Sequence, residues 1–304
     1  MFHEPWWLEA ASGGSWSEAS VTSGGAVIAR LPYVTKRRLG MTGIGMPALT
    51  PVLGPQLPLQ LGQPDWNGPT QRVLLAELFS QLPPHKYFNQ VCDPSVTHAL
   101  PLYALGYDSG LKYTLRIAPA SENQIMRGIR KRIREDIRKA ERTFELDPDL
   151  GIDEFCQFYN VCTQANNGQW WSRRYTRQAD AVKKRIYEAS IKAGAGRLLA
   201  ARDRNGVLRA AIMLVWDDRV MYYLLTVHDA KMEGTGSIKL LIWEAMKIAS
   251  RRGLVFDLDG FPRPNAVNLL SGFGGVVRNR ITLLKISPAL QFARFVTSRS
   301  RFGL

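Results

Sequence analysis

The sequence has few cysteines, and it has no uninterrupted hydrophobic run of the length that crosses a membrane. Its 304 residues include three cysteines, none in a paired Cys-x-x-Cys spacing, so neither a disulfide framework nor a metal site is indicated. The only long uncharged run, residues 41–64, contains five prolines and four glycines, which would break a spanning helix. We interpret this run as a surface loop, and we expect a protein of a reducing compartment that uses no metal.

Acidic residues are scarce relative to basic ones. Lys and Arg number 40 against 26 Asp and Glu, and a surface with the resulting net charge of +14 attracts phosphates, nucleic acid or anionic membranes. Glu4 and Glu9 stand where an export signal would carry a basic stretch followed by an apolar one. We therefore expect a cytoplasmic protein, with tRNA and a peripheral membrane contact left open as partners.

The two halves of the chain show nearly the same order of helix-type and strand-type patterns. In the second half we predict helices at 152–164, 177–193, 237–250 and 265–270, and strands at 196–203, 207–216, 219–228, 254–258 and 276–286. In the first half we predict helices at 4–11 and 70–82, and strands at 18–21, 26–35, 38–46, 86–91 and 112–117. This repetition indicates a diverged internal duplication.

A basic helix is predicted to join the two halves over residues 122–142. Isoleucines recur every four residues from Ile125 to Ile137 and mark its buried face, while eight Lys and Arg cover the other faces. The predicted domains are a first lobe at 1–120, the connecting segment at 121–145 and a second lobe at 146–304. The predicted fold class is α/β, in the α+β sense, with a mixed, mainly antiparallel sheet flanked by helices in each lobe.

The most specific local signal is residues 231–237, Lys-Met-Glu-Gly-Thr-Gly-Ser, which we name the glycine loop. It lies between the third strand of the second half and the following helix. Glycines let a backbone approach a ligand, and the free N–H groups at a helix start bind phosphate. An ordinary turn with a Ser cap is the alternative. If the loop binds a ligand, Gly236→Val should weaken that binding without unfolding the protein. The candidate binding residues are Lys231, Gly234, Thr235, Gly236 and Ser237.

Several motifs together resemble a known superfamily. The glycine loop after three antiparallel strands resembles the pyrophosphate-binding loop of GNAT acyltransferases, which have Arg or Gln at the place of Lys231. A wider set of motifs resembles the Fem-type and BioF2-like branch of that superfamily, whose members have two fused GNAT-like lobes. In chain order these motifs are Trp6-Trp7 and residues 29–33, 36–38, 53–55, 130–140, 256–260 and 272–275. The resemblance implies N-acyl transfer from acyl-CoA to an amine of a sugar, nucleotide-sugar or peptide-type acceptor, in cell-envelope or polysaccharide biosynthesis.

Two side chains are candidates for the catalytic base of such a transfer. His228 is predicted to end the strand that leads into the glycine loop, and an imidazole exchanges protons readily near neutral pH. Asp259 is predicted to end the neighbouring strand, with Asp257 on the opposite face by strand alternation. For each candidate the alternative is a polar residue that ends a strand or caps the next turn.

Two clusters are candidates for acceptor binding. Segment 166–175 combines amides, aromatic rings and guanidinium groups, which suit a sugar or a nucleotide, and the resemblance places this segment at the acceptor site. Lys36 and Arg37, at a predicted turn of the first lobe, would hold a phosphate of the acceptor, and a solvated hairpin tip is the alternative. In segment 166–175 the predicted contacts are Trp170, Trp171, Arg173 and Tyr175.

Two other functions remain open at the level of the sequence. An aminoacyl-tRNA-dependent peptidyltransferase of the Fem type is favoured by the net charge and disfavoured by the glycine loop. A non-catalytic GNAT-like scaffold that binds nucleic acid is favoured by the charge alone. The first lobe has a proline-rich stretch at 47–69 where the second has the glycine loop, so we expect it to shape the acceptor site without binding a donor.

Overall fold

The computed structural model divides the chain into two compact units. It describes residues 1–38, 40–57, 69–167, 173–232, 234–260 and 264–287. The larger unit comprises Met1 and Tyr113–Arg278, and the smaller unit comprises Phe2–Lys112 and Asn279–Leu304. In chain order the helices and strands are α1 (Pro5–Ser12), β1 (Ser17–Ser23), β2 (Ala26–Arg38), β3 (Met41–Gly45), α2 (Pro69–Ser80), β4 (Tyr87–Val91), α3 (Leu100–Ala104), β5 (Asp108–Ile117), α4 (Glu122–Gly128), α5 (Lys131–Glu141), β6 (Phe144–Asp147), α6 (Ile152–Asn167), α7 (Arg173–Lys192), β7 (Gly196–Asp203), β8 (Leu208–Trp216), β9 (Val220–His228), α8 (Ser237–Arg251), β10 (Val255–Asp257), α9 (Pro264–Leu270) and β11 (Val276–Ile286).

The smaller unit contains a mixed sheet with the strand order β1-β2-β3-β4-β11. The first three strands are antiparallel, β4 lies parallel to β3, and β11 lies antiparallel to β4. The parallel step follows from helix α2, which carries the chain back between β3 and β4. Leu75 and Leu78 of α2 are fully buried in one cluster with Phe88 and Leu283 of the sheet.

The segment that follows β3 returns to the interior, so the prediction of a surface loop is wrong here. Leu53 is 1% exposed. Trp7 of α1 donates its indole N–H to Thr50 at 3.0 Å, and Nε2 of His3 lies 3.0 Å from the carbonyl oxygen of Gly54. Because a carbonyl only accepts, His3 carries its proton on Nε2. Burial lowers the pKa of His3 to about 4.

The larger unit repeats the same sheet pattern, with the strand order β5-β10-β9-β8-β7-β6. Strands β6 to β9 are antiparallel, β10 lies parallel to β9 after the crossover helix α8, and β5 lies antiparallel to β10. The mixed α/β architecture is confirmed, and the repetition agrees with an internal duplication. The last strand of each unit comes from the other half of the chain. Among the described helices, none has the length and apolar character of a membrane span.

The predicted single connecting helix is instead two helices, α4 and α5. The chain leaves the helical conformation after Gly128, where Ile129 has a ψ of 137° and Arg130 a ψ of 142°. The backbone N–H of Arg130 donates to the carbonyl of Gly272 at 2.8 Å. A Cβ at Gly274 would lie 2.9 Å from the carbonyl oxygen of Gly128. The glycines before β11 therefore pack directly against the break between α4 and α5.

Candidate functional site

The glycine loop connects β9 to α8. It begins with a short 3-10 turn, Ala230–Met232, in which Lys231 is exposed, and Glu233 lies outside the described residues. Gly234 and Gly236 have φ angles of 81° and 85°, in a backbone region that other residues rarely adopt. The path of the chain from β9 into α8 therefore depends on these two glycines.

The first turn of α8 presents backbone amides that have no partner among the residues that the structure describes. Gly236 is the N-cap of this 15-residue helix, and no side chain caps it. Within the described ranges, no group accepts a hydrogen bond from the amides of Ser237, Ile238 and Lys239. Three such donors at the positive end of the helix dipole can bind an anion. The alternative of a Ser-capped turn is wrong, because Ser237 lies inside the helix and is 3% exposed. Thr235, before the cap, is half-buried.

Gly236 is also a packing position against α5. A Cβ at Gly236 would lie 2.7 Å from the carbonyl oxygen of Asp136 and 3.2 Å from the Cβ of Ala140. Lys239, in the same turn of α8, pairs with the carboxylate of Asp136. A valine at this position would push α8 away from α5, and such overpacking destabilises a folded chain. These contacts therefore predict that Gly236→Val lowers the stability of the fold, so a weaker binding in this variant would not by itself report on ligand contact.

Strand β9 extends well beyond its neighbour β10. Their pairing begins at Val220 and ends at Tyr222, which lies opposite Asp257. Residues 223–228 of β9 pair with β8 on one side, and no described strand pairs with them on the other. An unpaired strand edge offers its backbone N–H and C=O groups to a ligand. The glycine loop directly follows this edge, which we name the open edge.

A β-bulge lies at the start of the open edge. In the β8–β9 pair, Met213 lies opposite Leu225 and Leu214 lies opposite Tyr223, so Leu224 is the extra residue. A bulge interrupts the regular ladder and turns backbone groups away from the partner strand. Backbone N–H groups of β9 can therefore contact a ligand that lies along the open edge at this point.

The two aspartates at the end of β10 have different environments. Asp257 is fully buried, accepts a hydrogen bond from Thr114 at 2.5 Å and pairs with Arg116 at 2.8 Å. It also accepts the backbone N–H of Asp259 at 2.9 Å. Asp259 is half-buried and has a φ of 51°. Asp257 thus fixes the turn that presents Asp259, and of the two only Asp259 reaches the surface.

The two candidate bases lie at different levels of the sheet. His228 is the half-buried last residue of β9, and it lies opposite Ala210 of β8. It follows Tyr222 by six residues, which is about 20 Å of extended strand. Asp259 follows Asp257, the partner of Tyr222, by two residues. Asp259 therefore lies two residues beyond the end of the β9–β10 pairing and His228 lies beside the glycine loop, so the two candidates follow different points along β9.

The first pair of predicted acceptor contacts lies in the smaller unit. Lys36 and Arg37 are exposed on β2, opposite Gly43 and Thr42 of β3. The turn predicted at these residues comes later, because β2 continues to Arg38. Two neighbouring residues of a strand point to opposite faces of the sheet, so Lys36 and Arg37 cannot both face one phosphate from the same side.

The second group of predicted acceptor contacts precedes and begins α7. Trp170 and Trp171 lie outside the described residues. The backbone of Arg173 and Tyr175 forms the first turn of α7, and their side chains are likewise outside the description. The assignment of these four residues to acceptor binding stays a prediction.

None of the three cysteines is a candidate nucleophile. All three are free and buried, and burial raises the pKa of Cys92 to about 12 and those of Cys156 and Cys162 to about 11. A thiol with such a pKa stays protonated near neutral pH. In the part of the chain that the structure describes, no group of three or more His, Cys, Asp and Glu side chains is placed to hold a metal.

A charged cluster beside the glycine loop carries no sequence motif. Arg209 of β8 pairs with Asp203 at 2.8 Å and with Asp229 at 2.9 Å, and its hydrogen bond lowers the pKa of Asp203. The signal available in the sequence is an arginine at the start of one predicted strand and an aspartate just after the next. The antiparallel pairing of such strands places those two residues side by side.

Comparison with known proteins agrees with these features. Residues 127–261 match the family model described as an acetyltransferase (GNAT) domain. A search of curated proteins found no match. Among solved structures, FemX has a TM-score of 0.67 at 12% identity, covering 95% of this chain and 92% of FemX. A tandem GNAT protein from the clavulanic acid biosynthesis pathway has a TM-score of 0.56 at 12% identity, covering 89% and 83%. L-PGS from Bacillus licheniformis has a TM-score of 0.53 at 12% identity, covering 96% and 90%.

The matched family model spans the elements that build the candidate site. Residues 127–261 include β9 with its open edge, the glycine loop, α8 and β10. The solved structures, at low identity, show the fold, and the tandem GNAT protein and FemX agree with the predicted pair of fused lobes. The resemblance seen in the sequence motifs is confirmed to this extent: residues 127–261 match a GNAT acetyltransferase domain, and the chain has a fold similar to those of FemX and the tandem GNAT protein.

Proposed function

We propose that this chain is an N-acyltransferase that moves an acyl group from acyl-CoA to an amine. The proposed acceptor is a sugar, nucleotide-sugar or peptide-type molecule of cell-envelope or polysaccharide biosynthesis. One observation carries the proposal: the amides of Ser237, Ile238 and Lys239, which have no partner among the described residues, follow the open edge of β9 across the glycine loop. This combination suits CoA, because CoA joins a pyrophosphate to an extended pantetheine arm whose amide groups can pair with a strand edge.

The pyrophosphate of the donor is assigned to the glycine loop and the start of α8. No atom of the described residues lies within 4 Å of the position that a Cβ on Gly234 would take, so a phosphate can approach the backbone there. Lys231 is exposed in the same loop and supplies a positive point charge. Lys239 is already paired with Asp136, so it contributes less charge to the site.

The thioester of the donor is assigned to the bulge at Leu224. The amine nitrogen attacks the thioester carbonyl carbon and gives a tetrahedral intermediate with a negatively charged oxygen. Backbone N–H groups that the bulge turns outward stabilise this oxyanion. The carbon–sulfur bond then breaks, the new amide remains on the acceptor, and the leaving thiolate of CoA takes up the proton that the amine has lost.

Asp259 is the candidate that lies at the level of the reacting carbonyl. Asp257, two residues before Asp259, lies opposite Tyr222 of β9. The bulge at Leu224 is two residues after Tyr222. A carboxylate at this place accepts the proton of the attacking amine. His228 lies further along the strand, beside the glycine loop, and is assigned to the arm of the donor. Both assignments rest on the position of each residue along the strand.

The acceptor is assigned to the segment before and at the start of α7. Aromatic rings and guanidinium groups there would stack on a sugar and pair with its charged groups. The proposed contacts in this segment are Trp170, Trp171, Arg173 and Tyr175. A phosphate contact by Lys36 or Arg37, which point to opposite faces of β2, stays a separate prediction from the sequence.

Titration calorimetry with CoA tests the donor assignment. We expect CoA to bind with one site in the larger unit, and inorganic pyrophosphate to compete with it. Pantetheine, which lacks the pyrophosphate, should bind at least about tenfold more weakly, because the charged contacts at the α8 amides are lost. Absence of CoA binding, or equal affinities for CoA and pantetheine, would overturn the assignment.

A second candidate function uses aminoacyl-tRNA as the donor. The exposed cations of α5, Lys131, Arg132, Arg138 and Lys139, favour it, because such a surface attracts a phosphate backbone. The likeness to FemX concerns the fold and leaves the donor open. A thermal-shift comparison separates the two donors, since a ligand that binds only the folded state raises its apparent stability. Stabilisation by tRNA and not by CoA would replace the first proposal with the second.

A further inference from the structure

Arg209 connects two turns of the larger unit through its guanidinium group. Its Nε lies 2.8 Å from Oδ2 of Asp203, and its Nη1 lies 2.9 Å from Oδ2 of Asp229. The three side chains are 19–23% exposed, so the two ion pairs are partly buried. A planar guanidinium bound to two carboxylates has a fixed orientation, which a lysine ammonium would not have.

Asp229 transmits this orientation to the glycine loop. Its backbone N–H donates to the carbonyl of Arg209 at 3.0 Å, so the residue is held at the main chain as well as the side chain. Its other carboxylate oxygen, Oδ1, accepts the backbone N–H of Lys231 at 3.0 Å. One carboxylate therefore joins Arg209 to the first residue of the glycine loop.

Asp203 provides a rigid support on the other side of Arg209. It is the last residue of β7, and its Oδ1 accepts the backbone N–H groups of Asn205 at 2.9 Å and Val207 at 3.1 Å. These bonds close the turn between β7 and β8. Arg209 is thus fixed to a closed turn, and the direction of its second ion pair, to Asp229, is set by the sheet.

We propose that Arg209 is a positioning residue of the donor site: through Asp229, it sets the direction in which the chain leaves β9 and so aims the amides of α8 at the donor phosphates. This inference rests on the proposed acyl-CoA donor. The physical reason is that hydrogen bonds to a bound pyrophosphate require donors placed to a fraction of an ångström, and a loop that leaves β9 at a different angle moves all of them together.

A matched pair of arginine variants tests this role in the full-length protein. Arg202, on β7, makes the same kind of double ion pair, with Asp147 at 2.8 Å and Glu154 at 2.9 Å, and it is 24% exposed. None of these three residues belongs to the glycine loop, and none bonds with a residue of that loop that the structure describes. Arg209→Gln and Arg202→Gln should lower the melting temperature by similar amounts. Only Arg209→Gln should raise the Kd for CoA, by at least about tenfold, because only it releases the loop.

Calorimetry with CoA gives a decision for each outcome. A Kd for Arg209→Gln within threefold of the wild type, or an equal rise in Arg202→Gln, would show that Arg209 only stabilises the fold. If Arg209→Gln does not fold, Asp229→Asn replaces it, since the asparagine keeps an acceptor for the Lys231 N–H and loses the ion pair, and the same criterion applies. If the wild type binds no CoA, the proposed donor is wrong, and the proposed role of Arg209 is wrong as well. If the wild type binds CoA and the variant binds it equally well, only the proposed role of Arg209 is wrong, and the proposed donor stands.

Discussion

Replacing Gly236 by alanine should destabilise the larger unit more than replacing Gly234 by alanine. With φ angles of 85° and 81°, an alanine at either place costs about 1–2 kcal/mol for the left-handed backbone. At Gly234 the new Cβ meets no atom within 4 Å, whereas at Gly236 it would lie 2.7 Å from the carbonyl oxygen of Asp136. Relieving such an overlap costs about 1–3 kcal/mol more. We expect losses of about 1–2 kcal/mol for Gly234→Ala and about 2–5 kcal/mol for Gly236→Ala.

Urea unfolding followed by circular dichroism measures the two losses. The free energy of unfolding comes from the linear dependence on urea, and the difference between two variants of one protein is more secure than either absolute value. Amide hydrogen exchange adds a local measurement. In Gly236→Ala the amides of α5 and of the first turn of α8 should exchange faster, because the contact between these helices is disturbed. In Gly234→Ala the amides of α5 should exchange as in the wild type.

Equal losses in the two alanine variants would refute this reasoning. They would mean that α5 and α8 adjust to a Cβ at 236 at no cost, and that the left-handed backbone alone requires a glycine there. The same result would reopen the view that Gly236 is needed for the approach of a ligand. A wild-type rate of amide exchange in α5 of Gly236→Ala would point the same way.

The remaining predictions concern protonation. His3 has a pKa lowered by burial from 6.5 to about 4, so its neutral form stabilises the fold fully above pH 6.5 and this contribution is lost as the pH falls towards 4. Between pH 7 and pH 4.5 the free energy of unfolding should therefore fall by about 2–3 kcal/mol more in the wild type than in His3→Gln, and equal falls would contradict the assignment. If Asp259 is the base, Asp259→Asn should lower kcat/KM by about 10²–10⁴-fold and remove the ascending limb of its pH profile, while His228→Asn keeps that limb. If both variants lose less than about tenfold in kcat/KM, neither side chain is the base, and a bound water molecule accepts the proton of the amine.

The route from β9 through the glycine loop into α8 was predictable from the sequence. The strand predicted at 219–228 is Val220–His228, and the helix predicted at 237–250 is Ser237–Arg251. These boundaries are marked by local signals, because glycines permit the left-handed turn and an apolar period of 3.6 residues marks the buried face of the helix. The three amides at the start of α8 follow from the same local pattern, since a glycine N-cap offers no side chain to bond them.

Features that depend on residues far apart in the chain were not predictable. The break between α4 and α5 is fixed by contacts of Gly128 and Arg130 with the glycines before β11. The distinct environments of Asp257 and Asp259 depend on Thr114 and on the partly buried Arg116 of β5. Strand alternation separates the two carboxylates into opposite faces, but it does not say which face is covered. The last strand of each unit comes from the other half of the chain. No local sequence pattern indicates a pairing between such distant segments.

The two crossover helices differ at their first residues, and this difference predicts a single donor site per chain. Helix α8 follows Gly236 and starts with three N–H groups that have no partner among the described residues. Helix α2, at the equivalent place in the smaller unit, starts with Pro69, which has no N–H to offer an anion. The shared sheet pattern therefore survives in both units, while the anion site is expected in one. Calorimetry should give a stoichiometry of one CoA per chain. Two sites of similar affinity would show that the proline start of α2 does not prevent donor binding and that the two units have kept the same role.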